Sequence, residues 1–387
     1  MINLNKSFRA VVVQRLKIRC KLADFLSCSN FTWDKERNCL VKRSRNVLTR
    51  VKVFLIFCTI YLAAQPAYIF LKEMEIMEKT QACFLFMVYV ACTTIWWDWE
   101  VDPTPVAMLN LIANTEVKEN HTTRILSCLL HIFYSMMNVT YIGLPVGFVI
   151  LVYFSPCIEP LIGSFLLPTS SPLCSSTSNL TMPQSILRLT LALTEGFVLS
   201  NTFIGGTFYN VDVLLTGIAY LVAECNIAAN FENPKMSVYR KLQVLEKLLN
   251  AAVKSRILPM VSIALPGLQI TSCFALIKLH DQLGFYTMPI YVSVYLDVAM
   301  FNVLVFTGAA RVYILGDRLL RGWREEVKAE QNCGIREKRM MLKSFRKLRV
   351  EFGNNFVDQL TPLVLQDFCT KQSISMLVLS GSTTEVG

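Results

Sequence analysis

The sequence predicts an all-α, polytopic membrane protein. Three observations carry that reading. First, 53% of the 387 residues are hydrophobic and only 17% are charged, with a mean hydropathy of +0.44. Second, apolar runs recur at the length of roughly 20 residues that a helix needs to cross a bilayer. Third, the basic residues are not spread evenly: they fall in alternate segments between those runs, as the positive-inside rule requires of a membrane protein. The net charge of +10 therefore sets orientation and is no nucleic-acid footprint.

Residues 1–50 carry twelve Lys/Arg against three Asp/Glu, which predicts a basic cytoplasmic arm, amphipathic or extended. The apolar Ala10-Val11-Val12-Val13 is too short for the core of a signal peptide. Residues 51–380 then read as a domain of seven transmembrane helices. Helix one spans 52–71, with Pro66 as a kink. Helix two spans 81–97 and ends in Trp96-Trp97-Asp98-Trp99, an aromatic cluster suited to a membrane interface. Helix three spans 125–154. The following loop, 155–185, is rich in Ser, Thr and Pro and holds no Lys or Arg.

Helix four, 186–229, is long enough to be one kinked helix or two half-helices and contains the Gly205-Gly206 pair. Helix five spans 257–279 with Pro266-Gly267 inside it, helix six 285–315, and helix seven 355–380; residues 381–387 form a short tail. With a cytoplasmic N-terminus, the inner segments hold 31 Lys/Arg and the outer ones two, Lys72 and Lys79. The C-terminus is then extracellular. So is loop 155–185, where Asn179-Leu180-Thr181 is a glycosylation sequon and Cys157 and Cys174 are placed to form a disulfide.

Helix seven is too polar to face lipid, since it carries Asp358, Asp367 and Lys371. At about 100° per residue, Gln359, Gln366, Thr370 and Ser373 align on one stripe that reaches Leu377. These five are the candidates to line a water-filled path; the alternative is a peripheral amphipathic helix that never crosses. The outward halves of the helices supply Phe84, Tyr89, Tyr141, Phe148, Phe203, Tyr286, Tyr291 and Tyr295. An apolar pocket with a few hydroxyls is what a small organic ligand needs. Three intramembrane acids, Glu195, Asp212 and Asp297, call for partners, with Arg188, Lys278 and Arg311 as candidates. No phosphate-binding glycine loop, HExxH or GxSxG is present, and the thirteen cysteines and three histidines show no metal spacing. No enzyme activity, cofactor or metal is expected.

This organisation, together with the run Arg349 to Phe368 (RVEFGNNFVDQLTPLVLQDF), resembles the arthropod gustatory and odorant receptor superfamily, most of all its gustatory receptors. Their helix seven carries Thr-Tyr, five apolar residues, then Gln-Phe. Here Thr361, Gln366 and Phe368 stand in a related pattern, with Pro362 in place of the tyrosine. The resemblance implies a chemosensory receptor of the plasma membrane: a tetrameric, ligand-gated, non-selective cation channel, alone or with related subunits. Helix seven would line its pore, and a tastant or odorant would bind among the outward helix halves. A G-protein-coupled receptor fits seven spans but has its N-terminus outside. A secondary transporter would show repeated broken helices, and helix four has no such partner.

Overall fold

The computed structural model describes residues 7–115, 120–167, 174, 181–229, 236–281, 283–329 and 335–382. It is a helical bundle with two short hairpins. Five of its helices are long and apolar enough to cross a membrane: α2 (Arg45–Leu71), α5 (His121–Phe154), the run Met182–Ala229, α10 (Ile257–Lys278) and α11 (Met288–Ala329). Two further helices match the remaining expected crossings in length but are less apolar, α3 (Ile76–Trp96) and α13 (Thr361–Ser382). The chain is a multi-pass membrane protein by these elements.

Helix four is one continuous helix, α7 (Met182–Thr207) and α8 (Thr216–Ala229), joined by a π-helical stretch, Phe208–Leu215. It is the axis of the bundle: 83% of its apolar window is buried inside the subunit, against 22% for α2. It packs on α5 and α3 through α7, and on α11 through α8. The Gly205-Gly206 pair explains how close α3 comes. A Cβ on Gly206 would lie 2.6 Å from the Cys92 carbonyl oxygen, and one on Gly205 would strike the Trp96 ring. Small residues buy that approach between membrane helices.

The basic N-terminal residues do not stay loose. Phe8–Leu26 form α1, begun by Ser7, whose hydroxyl accepts from the Ala10 amide. Its face Phe8, Val11, Val12, Leu16, Cys20 and Ala23 is buried and packs against α5, α7 and α4 (Thr104–Asn114). An antiparallel hairpin, β1 (Phe31–Asp34) and β2 (Cys39–Lys42), follows and pairs Phe31 with Lys42. Asn110 on α4 holds its outer strand by exchanging hydrogen bonds with the Leu40 backbone at 2.7 and 2.9 Å.

At one end of the bundle α9 (Met236–Val253), which no apolar window marks as a span, fixes the segment leading to α13. Asn250 donates to the Arg349 carbonyl and accepts from the Glu351 amide, both at 2.9 Å. Lys254 pairs with Glu351 at 2.7 Å, and Arg346 with the buried Glu246 at 3.2 Å. The Lys254 ammonium, and Arg349 beside it, hold the Glu351 carboxyl below its ordinary pKa, whereas burial pushes Glu246 up in spite of Arg346. Residues 346–351 are thus held along α9 before the hairpin β3 (Glu351–Phe352) and β4 (Asn355–Phe356) turns the chain. The long α11 runs fourteen residues past the expected end at Leu315, and α12 (Ile335–Ser344) packs against it.

The last helix begins later than the periodicity predicts. Asp358 accepts from the Leu360 and Thr361 amides at 3.1 and 2.9 Å, and Pro362 occupies the first turn. Capping side chain and proline together mark a helix start. Asn355 therefore lies in a strand and Gln359 in the bend before the helix. On the opposite side of the chain's course, Cys157 and Cys174 are joined by a disulfide; Asn179 lies outside the described residues.

Candidate functional site

Three polar arrangements lie within the bundle, and each answers one of the intramembrane acids. Glu195 on α7 is fully buried and satisfied: it accepts from Tyr89 at 2.5 Å, from Tyr61 at 3.0 Å and from the Ile162 amide at 3.0 Å. Asp212, in the π-helical stretch, pairs with two guanidiniums of α1, Arg15 at 3.3 Å and Arg19 at 2.7 Å, all three buried. Arg15 also donates to Asn138 and to the Tyr141 hydroxyl and lies over the Tyr141 ring at 4.7 Å. Arg19 donates to the Ile204 carbonyl and lies over Phe208 at 5.0 Å. The expected partners Arg188, Lys278 and Arg311 are not the ones found. The cations come from α1, almost two hundred residues away, whose charges read in sequence as a solvated arm.

Asp297 on α11 is different. It is 8% exposed, and neither carboxylate oxygen is within close hydrogen-bond distance of a donor, although the Thr140 hydroxyl faces them. The Thr140 hydroxyl beside it donates to the Met136 carbonyl at 3.3 Å. Both line a partly open apolar cavity of about 80 Å³ within the bundle, formed by α3, α5, α7, the π-helical stretch, α10 and α11. Phe133, Phe203 and Phe301 supply its walls, and the unpartnered Oδ1 of Asn210 is its other orphan acceptor. The cavity is therefore aromatic with a polar floor.

Of the eight aromatics expected around a ligand, only Phe203 lines this cavity. The others are committed elsewhere. Phe84 and Tyr291 stack on each other at 4.1 Å, and both are buried. Tyr89 is bound to Glu195 and Tyr141 to Arg15; Phe148 is buried. Tyr286 is exposed and stacks on Phe154 at 4.9 Å, and Tyr295 is half-buried on α11. Asp297 was visible in the sequence as an intramembrane acid. Phe133, Phe301 and Asn210 carried no signal, because their common property is a shared void rather than a spacing.

The polar stripe of the last helix divides in the structure. Gln366 and Ser373 turn toward the body of the subunit: Ser373 is buried, and Gln366 accepts from Gln269 of α10 at 3.1 Å. Gln269 in turn accepts from Asn302 of α11 at 3.0 Å. Cys369 is buried on the same side, and Leu377 is half-buried. Thr370 alone of the stripe's helical members is exposed, on a face shared with Leu363, Ile374, Val378 and the ion pair Asp367–Lys371, 2.7 Å. The helix α13 leans on α10: the Gln269 hydrogen bond takes Gln366 inward, and the buried Ser373 bonds the Cys369 carbonyl of its own helix.

No protein-family model matches this sequence, and no curated protein matches it. Among solved structures, the fold matches that of the insect olfactory receptor OR5 from Machilis hrabei, in complex with eugenol: TM-score 0.64, 10% identity, covering 95% of this chain and 97% of that one. A second structure of that receptor matches with a TM-score of 0.61 at 11% identity, over 94% and 97% of the two chains. The likeness spans nearly the whole chain and establishes a shared fold.

Proposed function

We propose that this chain, which has the fold of an insect olfactory receptor, is a chemoreceptor of the arthropod gustatory and odorant receptor superfamily and works as a ligand-gated cation channel. One observation carries the channel reading. The outer face of α13 presents Asp367 and Lys371, with side chains 54% and 71% exposed, so that among the described residues none covers it. Charges there are costly in lipid, so the face meets water or other subunits. Several copies, four by the resemblance, placed around α13 give both. Thr370 then lies on the ion path, with Ile374 and Val378 as its apolar constriction. The apolar residues left outside, such as Ile56, Val139, Ile142 and Leu193, face lipid.

The geometry offers a route from ligand to pore. Leu268 and Phe301 line the central cavity; their neighbours Gln269 and Asn302 form the hydrogen-bond chain that ends on Gln366 of α13. A ligand that shifts α10 against α11 moves that chain, and with it the pore helix. The setting is a plasma membrane with the N-terminus inside, and the ligand is a small organic molecule.

Whole-cell recording from cells expressing the full chain, screened with volatiles and tastants, tests this. Thr370→Cys is expected to make the current sensitive to a water-soluble thiol reagent, while Gln366→Cys and Ser373→Cys are expected to stay silent. Block at none of the three in a channel that conducts would remove α13 from the pore, and equal block at all three would overturn the inward turn of Gln366 and Ser373.

A further inference from the structure

An unpaired carboxylate in the middle of a membrane protein asks for a partner. Asp297 is nine-tenths buried and its two oxygens make no close hydrogen bond, with the Thr140 hydroxyl facing them, a costly condition for a buried acid unless a charge or a further donor compensates. The other two intramembrane acids are compensated within the subunit, by hydroxyls at Glu195 and by guanidiniums at Asp212. Only Asp297 borders empty space, and the Asn210 Oδ1 that shares that space is an acceptor too. Acceptors without donors leave room for a molecule that brings the donors.

We propose that the central cavity is a site for a small protonated organic amine, with the ammonium on Asp297 and Asn210 and the hydrocarbon part among Phe133, Phe203 and Phe301. An ammonium has donors for both acceptors and no acceptor of its own. Aromatic faces around it add cation–π attraction, which grows where water is excluded. A cavity of about 80 Å³ holds roughly five to eight water-sized groups, which suits a monoamine of modest size. A bare metal ion fits poorly: among the described residues no three His, Cys, Asp or Glu side chains come together to hold one, and an aliphatic and aromatic wall offers nothing to replace its hydration. This assignment rests on the receptor reading only in supplying the ligand class; the site itself stands on Asp297 and the cavity.

Binding to the purified full chain in detergent tests it separately from conduction. Phenethylamine and phenethyl alcohol have nearly the same shape and differ in charge. Titrated by the shift in thermal melting, the amine is expected to bind at least roughly tenfold tighter than the alcohol, a preference that Asp297→Asn abolishes and Asp297→Glu keeps in part. Equal affinity for the two, or an amine preference that survives Asp297→Asn, overturns the proposal. Should Asp297→Asn fail to fold, the wild-type comparison decides alone. Amine binding without any current leaves this site in place and removes the channel; current evoked by neutral ligands with no amine preference does the reverse.

Discussion

At the scale of single residues, the pairing of Asp212 with Arg15 and Arg19 sets the strongest expectation. Two guanidiniums and one carboxylate are buried together, and removing one member of such a group leaves the others uncompensated, at a cost of about 3–5 kcal/mol. Asp212→Ala is therefore expected to lower the melting temperature of the solubilised chain sharply. Replacing Arg15 and Arg19 by Met in that background is expected to recover much of the loss. A single substitution with no effect on melting would mean the trio is solvated. The acid was legible in the sequence, because a charge inside an apolar run stands out. Its partners were not: Arg15 and Arg19 sit in a segment whose composition matches a solvated basic arm, and nothing local tells a buried arginine from an exposed one. The aromatic set is spread through the bundle for a related reason. Ring-bearing residues are common on every packed face, and only the backbone arrangement decides that Phe203 meets a void while Phe84 meets Tyr291.

At the scale of elements, apolar periodicity located the helices because burial in lipid demands it, and the boundaries moved where local chemistry overrode the run. The delayed start of α13 was written in Asp358, Thr361 and Pro362, a helix-start signal that the polar stripe outweighed. The π-helical stretch at Phe208–Leu215 had no sequence mark beyond the charge within it. Ahead of α13, the Lys254–Glu351–Arg349 group gives a pH expectation. Glu351 has a depressed carboxyl pKa in the folded chain, so its ionised form contributes stability above the unfolded value of about 4.3. That contribution fades as pH falls through the lower folded value. Glu351→Gln is thus expected to cost about 1 kcal/mol or less at neutral pH, a partly exposed ion pair's worth, and nothing in strong acid. Melting curves of the two proteins that stay apart at low pH would contradict it.

At the scale of the whole molecule, the count of 31 inner against two outer basic residues predicts a cytoplasmic N-terminus and an external C-terminus. A tag on the first residue should be hidden from antibody in intact cells and one on the last should be reached; Asn179→Gln should raise gel mobility by the loss of a glycan. A surface-stained N-terminal tag would reverse the whole arrangement. The burial of α1 has a further consequence for how the chain is made. Arg15 and Arg19 leave the ribosome first, yet their counter-ion follows 197 and 193 residues later. At roughly 5–20 residues per second, the first helix waits about 10–40 s before its place exists. Through that interval it stays in water at the membrane surface, since its two arginines exclude it from lipid. The order of the chain thus seats α1 only after α7 and the π-helical stretch have followed it, while α10, α11 and α13 are still to come.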